Sequence, residues 1–169
     1  LWGDPLAPRC PYAASTGASA RSALSYHGTC GLPVVVTRSS NNYGRFQFPE
    51  KVIPLFVARL LRGERVALYG DGGKVRDGCH VDDNCAALER VLAAGEVGTV
   101  YNAGAGNEST NLDLTHRLLA LCGADVSAID QVADRPGHDR RYSVDTGRIR
   151  SLGWAPTQDL DEGLAATVA

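Results

Sequence analysis

Between Arg38 and Pro54 the chain reads RSSNNYGRFQFPEKVIP. Two adjacent amides (Asn41, Asn42), a Tyr43-Gly44 turn and one lysine, Lys51, crowd into a stretch with neither helical nor strand periodicity. It follows a short apolar run, Pro33 to Thr37, of the kind that forms a strand buried on both faces of a parallel sheet. Polar groups in an irregular loop after such a strand are placed to hold a ligand, because α/β sheets open their crevices there. Cys79-His80 followed by Asp82-Asp83 gathers metal-ligating types, but the spacing matches no zinc arrangement. It reads instead as a strand end running into a helix capped by Asp82, and no metal is expected. Gly104-Ala105-Gly106 follows a strand, yet no acidic residue stands at the distance a dinucleotide turn requires. It reads as a loop.

These groups need elements to carry them. Tyr12 to about Thr29 predicts an Ala- and Ser-rich helix with a thin apolar stripe (Ala13, Ala20, Leu24), stopped by Gly31 and Pro33. Val34–Thr37 predicts a strand, and Val52–Leu61 an apolar helix with Pro54 tolerated in its first turn. Val66–Tyr69 reads as a strand entering the Gly70-Asp71-Gly72-Gly73 turn. A helix from Asp82 to Ala94 places Cys85, Leu88, Val91 and Leu92 at helical spacing and ends at Gly95. Strands are predicted over 99–102 and 129–132, and helices over 112–122, 145–152 and from Asp161 onward. Alternating strands and helices indicate an α/β fold.

Composition bounds the rest. The 169 residues carry 17 Lys plus Arg against 19 Asp plus Glu, a formal charge of −2, with no long run of either sign. A nucleic-acid groove or a polybasic membrane surface is unsupported. Apolar stretches such as Val52 to Leu61 are too short to span a bilayer. The five cysteines are odd in number and scattered, without a Cys-x-x-Cys pair. With no charged-then-apolar leader, they lead to the expectation of reduced thiols in a cytoplasmic protein.

Four stretches go further: Pro11-Tyr-Ala-Ala-Ser15; Ser40-Asn-Asn-Tyr-Gly44 continuing to Gln47-Phe-Pro-Glu-Lys51; Leu68-Tyr-Gly-Asp-Gly-Gly73 with Arg76-Asp77; and Asp134-Arg-Pro-Gly-His-Asp-Arg-Arg-Tyr142. With the ending Leu152-Gly-Trp-Ala-Pro156, they make the chain resemble the sugar-nucleotide-modifying branch of the extended short-chain dehydrogenases, and within it the dTDP-glucose 4,6-dehydratases. The resemblance implies the C-terminal part of a Rossmann-type doubly wound sheet plus a smaller α/β sugar-nucleotide-binding domain. Residues 1–44 would belong to the NAD-binding domain and 45–169 to the substrate domain, possibly lending 77–95 back to the NAD-binding sheet. No glycine-rich dinucleotide turn is found, so the chain is expected to be a C-terminal fragment.

Members of that family use NAD as an internal redox shuttle. Carbon 4 of the sugar is oxidised, water leaves across carbons 5 and 6, and the hydride returns to carbon 6. The base for the 4-hydroxyl is the tyrosine of Tyr-x-x-x-Lys, whose phenol needs the lysine's charge to ionise near neutral pH. By resemblance Tyr12 is that tyrosine and also a cofactor contact, but the lysine position holds Thr16, which implies an impaired hydride step. Asn42 would face the nicotinamide and Asn41 the sugar-nucleotide diphosphate. Lys51, Arg76, Arg135 and His138 would grip the diphosphate, and Tyr69 and Asn107 the nucleotide end. Arg45-Phe46 and Gly78 depart from the family's Pro-Tyr and Trp. The expected partners are a dTDP-sugar and a second copy of the chain, the homodimer being weakened by changes over 16–30. Two alternatives stay open: a binding module without turnover, and a related NAD-dependent sugar-nucleotide epimerase or decarboxylase.

Overall fold

A computed structural model describes Pro8 and residues 10–169. Helix α1 spans Pro11–Cys30; Cys10 accepts at its N-cap from the Ala13 amide, Pro11 occupies the first turn, and Gly31 closes it at φ 68°. None of its side chains is buried, in keeping with its thin apolar stripe.

Strand β1 covers Val36–Ser39, two residues later than the apolar run suggests. Val34 is turned back, its amide donating to Leu32 and its carbonyl accepting from Gly98, and ladder pairing begins at Val36. Strand β2 (Asn41–Tyr43) follows almost at once, which corrects the reading of this stretch as irregular: both amides sit on a strand. Helix α2 (Val52–Leu60) buries Ile53, Phe56 and Leu60. Strand β3 (Val66–Tyr69) and strand β4 (Val75–His80) flank the glycine turn. Helix α3 (Val81–Ala94) starts one residue before the expected cap: His80 is the N-cap and its ring nitrogen accepts from the Asp82 amide. Its buried face is Asp83, Asn84, Ala87 and Val91, while Cys85, Leu88 and Leu92 are exposed. Strands β5 (Val100–Ala103) and β6 (Glu108–Thr110) lead to helix α4 (Asn111–Leu121), opened by a Thr110/Asp113 capping box. Strands β7 (Ile129–Val132) and β8 (Arg141–Tyr142) and helices α5 (Gly147–Ser151) and α6 (Leu160–Val168) complete the chain.

Among the described residues the strands form three small sheets. β1 pairs in parallel with β5, and β3 in parallel with β7. β4 is the hub of the third: its first half lies between antiparallel β6 and parallel β8, and its second half pairs with β2, Asn42 opposite Cys79. One apolar cluster joins α2, α4 and α6 around Tyr43 and Val66; a second packs α3, β5 and α5 around Trp154. Among the described residues no helix is long and apolar enough to cross a membrane, and no metal-holding group occurs.

Candidate nucleotide-sugar site

The turn after β3 and the segment between β7 and β8 lie side by side because their strands are paired. Val132 accepts from the Gly70 amide at 2.9 Å, and Arg140 from the Val75 amide at 2.8 Å. Gly70 sits at φ 59°, where a Cβ would also come within 3.2 Å of the Asp134 Cβ, so the turn needs glycine on both counts. This lets Asp134 settle onto the turn.

Asp134 organises what lies around it. One carboxylate oxygen accepts from Lys74 Nζ at 2.7 Å; the other accepts from His138 Nδ1 at 2.8 Å and from the Arg135 amide at 2.9 Å. The Lys74 ammonium first, then His138, hold the Asp134 carboxyl far below its usual range. The Arg135 guanidinium stacks 4.8 Å above the Tyr69 ring. Arg76, on β4, donates to the carbonyls of Val75 and Asp139 at 2.7 and 2.9 Å. Burial lowers its basicity, with the Arg135 charge adding to that effect and Asp139 opposing it. Tyr69, Arg76, Arg135 and His138, expected from sequence, are thus brought into one cationic, aromatic-walled cluster.

Asn107 lies just before β6, along the opposite edge of β4 from the β8 side. Its amide donates to buried Asp77 at 2.9 Å, and its side chain to the Gly78 carbonyl at 3.4 Å. Asn41 is opposite Gly78 on β2, so the hub strand connects Asn107 to the amide pair. Asn42 accepts from Gln47 through its backbone carbonyl at 2.9 Å, while its own side-chain oxygen is buried without a hydrogen-bond partner among the described residues. A buried acceptor left unpaired calls for a donor from a bound group.

Tyr12 and Lys51 stand apart. Tyr12 is in the first turn of α1 with 80% of its surface exposed. Thr16 is one turn on, and its hydroxyl donates to the Tyr12 carbonyl at 3.0 Å, so it is committed to the backbone and not to the phenol. Lys51 is the N-cap residue of α2 and pairs with Glu50 at 2.9 Å. That hydrogen bond raises its basicity, with Tyr12 a smaller contributor.

Sequence reasoning passed over Asp134 and Lys74 as site members, although Asp134 opens a motif it quoted. It also passed over Glu108, which takes the Arg141 guanidinium in a fork at 2.8 and 2.6 Å and the Ser143 hydroxyl at 2.7 Å. A carboxylate at the start of an Arg- and His-rich motif was the available signal. Lys74 and Glu108 gave none, since their partners lie 60 and 33 residues away.

The sequence matches the model of the GDP-mannose 4,6 dehydratase family over residues 3–167. The chain belongs to that family. A dTDP-glucose 4,6-dehydratase of Actinoplanes sp. is 56% identical over 168 residues, covering 99% of this chain and 52% of its own length. Of similar solved structures, DesIV from Streptomyces venezuelae, a dTDP-glucose 4,6-dehydratase crystallised with NAD bound, superposes with a TM-score of 0.96 at 51% identity, covering 99% of this chain and 52% of its own. A UDP-glucose 4-epimerase from Thermotoga maritima, solved with UDP-glucose, gives a TM-score of 0.89 at 32% identity over 96% of this chain and 53% of its own. The fold is therefore the Rossmann-like α/β fold of the extended short-chain dehydrogenases. The chain spans about half the length of the curated relatives it matches.

Proposed function

We propose that this chain supplies the nucleotide-sugar-gripping part of a dTDP-glucose 4,6-dehydratase. The observation that carries the proposal is the convergence of Tyr69, Arg76, Arg135 and His138, from three separate segments, around the Asp134 carboxylate. Planar guanidinium groups suit phosphate oxygens because they donate in a fixed fork, and an aromatic face accepts a base. The relatives named above for dTDP-glucose support dTDP as the nucleotide. Asn107 would hold the nucleotide end, and Asn41 and Lys51 the diphosphate.

NAD, when bound, would supply the redox chemistry, as acceptor of the hydride from carbon 4 and its donor to carbon 6. Two residues of this chain fit it: Asn42, whose buried side-chain oxygen has no partner of its own, and Tyr12, exposed at the mouth of α1. Tyr12 would take the proton of the 4-hydroxyl. Thr16 gives that phenol no positive charge, so proton abstraction in this chain is slow. Thr16→Lys is expected to raise any turnover by about 100-fold or more, the usual effect of a tuned acid–base group. The same deficit favours a second reading, binding without turnover. Relatedness to an epimerase keeps a third reaction of the same superfamily in view.

We divide the chain near residue 44, with 1–44 serving the cofactor half. Pairing of β1 with β5 and packing of α3 nearby support the return of later segments, 77–95 among them, to that half. Exposed α1, with Tyr26 on its surface, is the face we assign to a weak homodimer. The unpaired thiols suit a reducing compartment, the cytoplasm.

Calorimetric titration of the full chain with dTDP tests the site. Arg76→Gln is expected to weaken binding by about tenfold to a hundredfold, the worth of a charge-assisted hydrogen bond. Equal affinity in the variant, or no binding by the parent chain, would overturn the reading. Mass analysis of dTDP-glucose incubated with the chain and NAD then identifies dehydration by its loss of water, and proton NMR of the sugar separates epimerisation, which leaves the mass unchanged, from mere binding.

A further inference from the structure

We propose that Lys74 is a positioning residue that acts through Asp134 to orient His138 and the loop bearing Arg135 toward a nucleotide diphosphate. The inference deepens the site reading above and rests on it.

Chain geometry explains why a cation is needed here. Lys74 closes the turn between β3 and β4; Asp134 begins the segment that follows β7, 60 residues later. Backbone contacts join the two through Gly70 and Val75, and Gln131 adds a side-chain bond to the Gly70 carbonyl at 2.8 Å. The Asp134 side chain, by contrast, rests on a glycine that offers it no hydrogen bond through a side chain of its own. Lys74 fills that role at 2.7 Å, and it is pinned: its side chain is only 17% exposed. Lys51, the other lysine of the chain, is 65% exposed and pairs with its sequence neighbour.

The consequence falls on His138. A carboxylate oxygen only accepts, so the nitrogen 2.8 Å from Asp134 must carry the hydrogen, and that nitrogen is Nδ1. Nε2 is then the ring atom left to meet a ligand. The His138 side chain is 11% exposed, so the ring has little room to adopt another pose. A free imidazole favours hydrogen on Nε2; Asp134 reverses that preference only while its carboxylate is held in place. The second oxygen of Asp134 is committed to Lys74, which stops the group from rotating away. The Arg135 amide shares the oxygen that serves His138, so the same anchor fixes the start of the Arg135 loop. Arg135's guanidinium is engaged over Tyr69 and Arg76's on two carbonyls, so neither substitutes for Lys74.

Long-range proton–nitrogen correlation spectra of the full chain read the tautomer directly, with His138→Gln assigning its signals among the four histidines. We expect the Nδ1–H pattern for His138 in the parent chain, a shift toward Nε2–H in Lys74→Met, and retention in Lys74→Arg. Affinity for dTDP, measured on the same samples, should fall about two- to fivefold in Lys74→Met, in line with a partly exposed ion pair, and return in Lys74→Arg. Lys74→Gln repeats the first arm if Lys74→Met fails to fold by circular dichroism. A neutral variant that keeps the Nδ1–H pattern overturns the proposal, whatever its affinity. A changed tautomer with unchanged dTDP affinity also overturns it, and places the error in the nucleotide reading and not in the Lys74–Asp134–His138 arrangement.

Discussion

Glu108 shows how one side chain's surroundings become a measurable pH dependence. The Arg141 fork and the Ser143 hydroxyl hold its carboxyl down from an ordinary 4.5 to about 2. The folded pKa is thus below the unfolded one, so the stabilisation is complete above about pH 4.5 and is lost as pH falls toward 2. Glu108→Gln should remove that part of the acid dependence: thermal midpoints of variant and parent should differ at pH 6 and converge near pH 2. A constant gap across that window would contradict the assignment. The partnership was invisible beforehand because a carboxylate after Asn107 looks like any surface acid; β6 and β8, which bring it to Arg141, are too short to leave a pattern. Lys74 was equally hidden, since its partner lies 60 residues further on. By contrast Arg76, Arg135 and His138 could be named in advance, because the motifs that carry them resemble those of a known family.

Elements show a different kind of error. Helical spacing located α3 correctly but chose its wrong face, because Leu88 and Leu92 look more apolar than Asp83 and Asn84. Specific hydrogen bonds outweighed hydrophobicity: Ser39 donates to Asn84 at 2.6 Å, and Asp83 accepts from the Thr157 and Gln158 amides. In α6 the decisive contact is steric. Gly163 lies against the hydroxyl end of Tyr43, leaving no space for a Cβ. Tyr43 itself is fully buried, its ring edge-on to His80 at 5.4 Å, and its hydroxyl has no hydrogen-bond partner among the described residues. Burial first, then nearby Cys79, pushes its pKa up to about 12. Two outcomes are expected in urea denaturation. Gly163→Ala, which stabilises an ordinary helix interior by up to about 1 kcal/mol, should here destabilise by about 1–3 kcal/mol through overpacking. Tyr43→Phe should be neutral or stabilising by about 1 kcal/mol, because an orphaned polar group is removed, and should relieve much of the Gly163→Ala penalty. A stabilising Gly163→Ala would show that α6 does not rest on Tyr43.

At the scale of the whole molecule, the described strands form three small sheets that, with two apolar clusters, must be held in one arrangement for β2, with Asn41 and Asn42, to stay paired to the strand that carries Arg76. The segment from Trp154 to Leu160 crosses from one apolar cluster to the other, and it carries no strand or helix to fix its path before α6. Asp83 fixes it instead. Its side chain, with the residue only 3% exposed, accepts from Thr157 through the amide at 2.9 Å and the hydroxyl at 2.8 Å, and from the Gln158 amide at 3.0 Å. The Trp154 indole adds a bond to the Asp83 carbonyl at 3.1 Å. Its loss would leave three donors on the exposed Thr157 and Gln158 without their charged acceptor, at about 1 kcal/mol for each hydrogen bond. Asp83→Ala is therefore expected to lower unfolding free energy by roughly 3 kcal/mol, and Asp83→Asn by about half that, since one oxygen still serves Thr157 while the new amide faces the Gln158 donor. α6 then loses its seat on Tyr43, which shares β2 with Asn41, the residue given to the diphosphate. Asp83→Ala should accordingly weaken dTDP binding even under conditions where the variant remains folded, although Asp83 belongs to neither the cationic cluster nor the amide pair. Full affinity in a folded but destabilised variant would show that the crossing segment stabilises the fold without shaping the site.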